Sequence, residues 1–227
     1  VAGCSPYLGS LLLRDGNWLR EILDTPEAAL EVELLDIAQL SLPNLAVGLR
    51  QSKRRVALLT GLADLGGVWS LEQITRALAR LADAAVDVVL KRLVGAEIAR
   101  GKVPGQVEDD AETAAGMVSI AMGKGGAYEL NYSSDIELIC LFDETRFDPN
   151  DFYDARSAFV RVTRKMAALL SDLTGDGYVF RTDLRLRPDP SVTPVCLSME
   201  AAERYYESVG RTWERAAYIK ARASAGD

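Results

Sequence analysis

Residues 121–143 read AMGKGGAYELNYSSDIELICLFD. The segment divides into a short apolar strand, a glycine turn (Gly123-Lys124-Gly125-Gly126), a polar pair (Ser133-Ser134) and a second strand over Ile136–Phe142. Asp135 and Glu137 are two residues apart, so on a strand both point to one face. Ile136, Leu138, Cys140 and Phe142 then point to the other. Backbone N–H groups of a glycine turn can cradle phosphate. A pair of carboxylates on one face can hold a hard cation. Together they suggest metal-dependent phosphoryl or nucleotidyl transfer. Taken singly, the carboxylate pair also fits a solvated strand edge, and GKGG also fits a plain turn. The turn is not a Walker A loop, because no Ser or Thr follows Lys124.

Composition narrows the chemistry. The 227 residues carry no histidine, which removes imidazole acid–base catalysis and most zinc sites. The net charge of −7 argues against a general nucleic-acid binder. Apolar residues make up 48% of the chain, enough for a sizeable core. Cys4, Cys140 and Cys196 are scattered and odd in number, as expected of reduced thiols. No apolar run reaches membrane-spanning length, and the N-terminus shows no signal-peptide pattern, so a cytoplasmic location without membrane association is expected.

Residues 1–100 read as helical. Leu8, Leu11, Leu12, Trp18 and Leu19 recur at helical spacing, with a break expected at Asp15-Gly16. Thr25-Pro26 and Pro43 open further helices. Ser70 and Gln73 form a capping box for a long helix reaching about Ala99. The cluster Lys53-Arg54-Arg55 is expected to be a solvated face. Residues 101–112, with Pro104, Gly105 and the acidic run Glu108-Asp109-Asp110, read as a linker, placing a domain boundary near residue 110. Beyond it, Met117–Met122 reads as a strand. A helix follows Asp148-Pro149, with Phe152, Ala155, Phe159, Val162, Met166, Leu169 and Leu173 on its core face. Tyr178–Arg187 alternates as a third strand, with Arg181, Asp183, Arg185 and Arg187 on its polar face. A proline-rich loop (Pro188–Pro194) and a helix over about Met199–Val209 complete the pattern. The expected fold is α+β: a helical domain (1–110) before a small mixed or antiparallel sheet flanked by helices (111–227). Adjacent strands would bring Asp183 to Asp135 and Glu137.

Three longer motifs carry a family resemblance. AMGKGGAYELNYSSDIELI is similar to GMGKLGGRELNYSSDIDLI. TDLRLRP (Thr182–Pro188) is similar to VDLRLRP. YYESVGRTWERAAYIKAR (Tyr205–Arg222) is similar to YYxxxGRxWERxAxxKAR, and SPYLGSLLLRD (Ser5–Asp15) resembles an early helical segment. All belong to the bifunctional glutamine synthetase adenylyltransferase/adenylyl-removing enzymes, within the polymerase-β-like nucleotidyltransferases. The resemblance implies a piece of a longer protein with two nucleotidyltransferase domains, and looks closest to the N-terminal, adenylyl-removing half.

That resemblance implies Mg²⁺, two ions in all, held by Asp135, Glu137 and Asp183. It implies phosphate and ADP or ATP as substrates or products. Gly123, Lys124, Gly126, Ser133 and Ser134 would cradle phosphate, and Arg185 and Arg187 would contact phosphate or AMP. Glu214, Arg215, Lys220 and Arg222 would support the site from behind. The implied partners are glutamine synthetase and, for the full-length enzyme, the PII signal protein. The implied reaction is phosphorolytic removal of AMP from adenylyl-tyrosine. ATP-dependent adenylylation and a non-catalytic nucleotide- or partner-binding piece are the alternatives. The chain departs from the family pattern at Gly125 and Tyr128, in place of Leu and Arg, and carries Glu137 as its second carboxylate.

Overall fold

The computed structural model describes Gly3 and residues 5–227. Cys4 lies outside the described residues. The helices α1 (Pro6–Ile22), α2 (Pro26–Ala38), α3 (Leu45–Leu65) and α4 (Leu71–Ala99) come first. The expected break at Asp15-Gly16 takes the form of a kink: Asp15 leaves helical geometry (φ −118°, ψ 17°), and α1 is two helical segments joined there. The Asp15 carboxylate is buried and pairs with Arg54 and Arg55 at 3.3 and 3.8 Å. Pro43 sits in a 3₁₀ turn (Leu42–Asn44) that leads into α3. The capping box on α4 forms as expected: Gln73 N–H donates to Ser70 Oγ, and Ser70 N–H donates to Gln73 Oε1 at 2.8 Å. The acidic run after residue 107 opens a 3₁₀ segment, Glu108–Gly116, where Asp110 accepts from the Val107 N–H.

The basic cluster is not a solvated face. Arg54 and Arg55 bind Asp15, and Arg55 also binds Glu33. Lys53 sits 4.0 Å above the Phe180 ring. Three consecutive residues on a helix point about 100° apart and cannot share one exposed side.

The sheet contains β1 (Met117–Ala121), β2 (Ile136–Phe142), β3 (Thr182–Asp183), β4 (Cys196–Ser198) and β5 (Arg222–Gly226). A single helical turn, α5 (Gly123–Gly126), joins β1 to β2, and α6 (Phe152–Ser171) follows. The chain ends through α7 (Met199–Ser208), α8 (Thr212–Ala217) and β5. β1 is antiparallel to both β2 and β5. β3 and β4 are parallel to β2 and share its other edge, β3 at Ile136–Glu137 and β4 at Cys140–Phe142.

The expected alternation of β2 is present. Ile136, Leu138, Cys140 and Phe142 belong to the main core, which includes Leu78, Val89, Phe159 and Met166. That cluster spans both sides of residue 110. Ile139 and Leu141 join a second cluster with Met122 and Leu197, where Tyr206 and Tyr218 pack. Asp151, not Asp148, precedes α6, and Leu173 lies past its end, exposed. Cys140 and Cys196 are register partners, buried free thiols whose pKa values burial pushes up.

The expected strand over Tyr178–Arg187 shrinks to Thr182–Asp183. Arg185 N–H donates to Asp183 Oδ1 at 2.8 Å, turning the chain back on itself. Arg187 donates to the carbonyls of Leu184, Pro190 and Thr193. Such local bonds compete with a sheet ladder.

Candidate active site

The parallel register places Glu137 directly beside Asp183, and Ile136 N–H donates to the Arg181 carbonyl at 2.9 Å. Asp135 precedes β2 at the same end. The two strands thus bring the three candidate carboxylates to one edge of the sheet. Arg185 reports their proximity. Its guanidinium is held above its ordinary pKa first by Asp183, and also by Asp135 and Glu137.

Each aspartate already carries a guanidinium. Arg185 grips Asp183 with Nε at 3.0 Å from both carboxylate oxygens and Nη2 at 2.6 Å from Oδ2. These bonds hold the Asp183 carboxyl below the usual carboxylate range, against the opposing effect of its partial burial. Arg181 Nε donates to Asp135, and its Nη2 donates to the Ser133 carbonyl at 2.7 Å.

The glycine turn meets these carboxylates from the β1 side. Gly123 has φ +53°, the left-handed region that glycine enters freely. The Glu137 carboxylate occupies the place a Cβ at Gly123 would take. The Glu137 carbonyl accepts from Met122 N–H at 2.9 Å. Ser134 Oγ and Ser133 N–H both donate to Asn131 Oδ1, at 2.7 and 3.2 Å. The two serines therefore form a local turn beside the site. Lys124 is the basic residue of α5.

The C-terminal segment buttresses that turn. Arg222 donates to the carbonyls of Gly126 and Gly125 at 3.3 and 3.1 Å and pairs with Asp83 of α4 at 2.9 Å. Its guanidinium lies 3.9 Å from the Tyr128 ring centre; Arg76 lies over the same ring at 4.7 Å. Lys220 binds Glu129 at 2.6 Å. Glu214 is buried and accepts from the Tyr205 hydroxyl at 2.9 Å and the Arg211 N–H at 2.7 Å. Arg215 donates to the Tyr206 carbonyl at 2.7 Å. Arg181, Asp83 and the aromatic role of Tyr128 are not singled out by sequence spacing. Arg181 alone left a signal, through its place on the polar face with Asp183.

Among the described residues, no three His, Cys, Asp or Glu side chains stand close enough together to hold a metal ion. The donor chemistry nevertheless fits Mg²⁺, which takes carboxylate oxygen. The register of Glu137 with Asp183 fits it too. In this structure the charges of Asp135 and Asp183 are compensated by Arg181 and Arg185 instead.

A small mixed sheet flanked by helices, with a glycine turn and paired carboxylates at one end of β2, makes this an α+β, nucleotidyltransferase-like fold. The chain belongs to the glutamate-ammonia ligase adenylyltransferase family, whose model matches residues 1–227. It is 46% identical over 233 residues to a bifunctional glutamine synthetase adenylyltransferase/adenylyl-removing enzyme of Bradyrhizobium sp. (strain BTAi1), covering 100% of this chain and 24% of that one. Proteins of the same description from Caulobacter vibrioides and Bradyrhizobium diazoefficiens are 44% and 48% identical over 232 and 234 residues. They too are matched along 100% of this chain, and over 24% and 23% of their own lengths. The chain thus spans about a quarter of the length of these relatives. Among the described residues, no helix is long and apolar enough to cross a membrane.

Proposed function

We propose that this chain carries the adenylyl-removing centre of a glutamine synthetase-modifying enzyme. The observation that carries the reading is the β2–β3 register, which sets Glu137 beside Asp183 at the end of the sheet that holds Asp135 and the glycine turn. In this reading an oxygen of inorganic phosphate attacks the phosphorus of the AMP group. The P–O bond to the tyrosine breaks, the phenolate takes up a proton, and ADP leaves. Asp135, Glu137 and Asp183 would hold Mg²⁺, which supplies charge neutralisation at the transferring phosphoryl group. N–H groups of Gly123, Lys124 and Gly125, with the Lys124, Ser133 and Ser134 side chains, receive phosphate oxygens; the Gly126 N–H is taken by the Met122 carbonyl at 3.0 Å and only shapes the turn. Arg185, mostly exposed, is free to turn from Asp183 to the anion once a cation takes its place. Arg187, bound to loop carbonyls, shapes the wall beside it. Residues 1–110 serve as the helical support and 111–227 carry the chemistry.

The test is ADP formation from adenylylated glutamine synthetase and phosphate with Mg²⁺. Asp135→Asn and Asp183→Asn should each abolish it; turnover by both variants would remove the ligand assignment. The relatives' description names both directions, so ATP-dependent adenylylation is the second reading. Labelled ATP with unmodified glutamine synthetase separates the two, because only the forward reaction labels the protein. The guanidinium-occupied aspartates favour a third reading, a binding piece without turnover. Its signature would be nucleotide binding indifferent to Mg²⁺.

A further inference from the structure

A cavity of about 710 Å³ opens between α1, α3 and the turn after α6. That lies within the range of small-molecule sites, roughly 300–1,000 Å³. Leu8 and Leu11 line it from α1 and Tyr178 from the turn, so much of its wall is apolar. It meets the candidate active site at Ser133, beside Tyr132, and at Tyr178, whose hydroxyl accepts from Arg181 Nη1 at 3.3 Å.

Its charges are unevenly matched. Arg14 and Arg54 both bind Asp176 at 3.3 Å. Arg50 gives its donors to the carbonyls of Ala46, Leu169, Asp172 and Gly177. Asp64 accepts from the Tyr132 hydroxyl at 3.0 Å. Lys53 is different: among the described residues it has no carboxylate partner, only the Phe180 ring 4.0 Å beneath its Nζ. Lys53 is half-buried, and an ammonium partly withdrawn from water without a counter-charge is costly. Burial lowers its pKa to about 8, which leaves it mostly cationic at neutral pH. Arg14, half exposed at the rim, can add a second positive group.

We infer that this cavity binds a small organic anion. Its anionic group, phosphate or carboxylate, pairs with Lys53, and its flat apolar body lies against Leu8, Leu11 and Tyr178. The ligand supplies the counter-charge that the fold omits. The inference does not rest on the reading of the glycine turn.

Calorimetric titration of the chain with 1-naphthyl phosphate tests it, alongside 1-naphthol and inorganic phosphate alone. Lys53→Met keeps the stem and removes the charge; Lys124→Met removes the charge of the glycine turn. The aryl phosphate should bind, and naphthol and free phosphate should each bind at least about tenfold more weakly. Lys53→Met should lose about tenfold or more in affinity while melting no earlier than the parent, and Lys124→Met should lose less than Lys53→Met does. The inference is overturned if the parent does not bind the aryl phosphate, or if Lys53→Met binds it undiminished. It is also overturned if naphthol binds equally well. Loss in Lys124→Met alone would instead place the anion at the glycine turn. A second readout, 1-naphthyl carboxylate in place of the phosphate, distinguishes the two headgroups.

Discussion

The carboxylate of Glu137 lies against the α-carbon of Gly123, in the space a Cβ would fill. The glycine turn and the second carboxylate are thus one packed unit. At Gly123→Ala the new methyl meets Glu137 Oε2, the mobile end of a side chain, so Glu137 swings away and the fold survives. The left-handed φ adds a cost of roughly 1–2 kcal/mol. If Glu137 holds the metal as proposed, displacing it should weaken Mn²⁺ binding by about 10–100-fold. A Mn²⁺ titration beside a urea melt measures both. Unchanged Mn²⁺ affinity would detach Glu137 from the metal.

Gly125 and Gly126 are adjacent yet should respond in opposite directions. A Cβ at Gly126 would run into the backbone carbonyls of Lys220 and Ala121, which cannot step aside without moving the C-terminal segment. Gly126→Ala should cost about 1–3 kcal/mol, as overpacking does. A Cβ at Gly125 meets only Ala121 Cβ, at 3.8 Å, an ordinary contact. Gly125→Ala should stabilise by about 0.4–1 kcal/mol, by reducing the freedom of the unfolded chain. Denaturant midpoints of the two variants should fall on either side of the parent.

Arg185 governs the acidity of Asp183. Its hydrogen bonds lower the Asp183 pKa, with burial opposing. A carboxyl with a folded pKa below its unfolded value adds stability above the unfolded value, about 3.9, and loses it as pH falls through the folded one. In Arg185→Gln the Asp183 titration should move upward. Resilience to acid below about pH 4 should shrink accordingly. Carboxyl ¹³C NMR across pH 2–6 reads the shift; an unmoved Asp183 titration would refute the role of Arg185.

The sequence exposes elements that make their own case. The Ser70/Gln73 cap, the alternation of Ile136–Phe142 and the helical stripe through Phe159 and Met166 each depend on neighbours in the chain, and each forms. Elements that need distant partners stay hidden. Arg222–Gly226 is a strand without apolar alternation; it forms because β1 offers an edge and Asp87 accepts from Gly226 N–H at 3.0 Å. Tyr178–Arg187 shows the reverse. Its alternation promises a long strand, but Arg185 and Arg187 satisfy carbonyls and a carboxylate close by and end it after two residues. The three candidate carboxylates are legible through their spacing and motif. Arg181, which holds Asp135, shows only as a member of the polar face with Asp183; its role does not, because its partners Asp135 and Ser133 lie 46 and 48 residues upstream. The basic triplet fails for the same reason, since Asp15 and Glu33 reach Arg54 and Arg55 from other helices.

Lys53 supplies a pH signature of its own. Its folded pKa, about 8, lies below the unfolded value, about 10.4. Between those values the unfolded chain binds more protons, so this group adds stability as pH rises and imposes its full penalty below about pH 8. Lys53→Met removes the penalty. The variant should therefore melt above the parent at pH 6–7, and the gap should narrow through pH 8–10 and close near pH 10.5. Comparing parent and variant at each pH cancels the tyrosines and other lysines that titrate in the same range. With 1-naphthyl phosphate present the order should reverse at pH 7, because only the parent gains the ion pair. A gap that stays constant with pH would show that Lys53 is no desolvated cation.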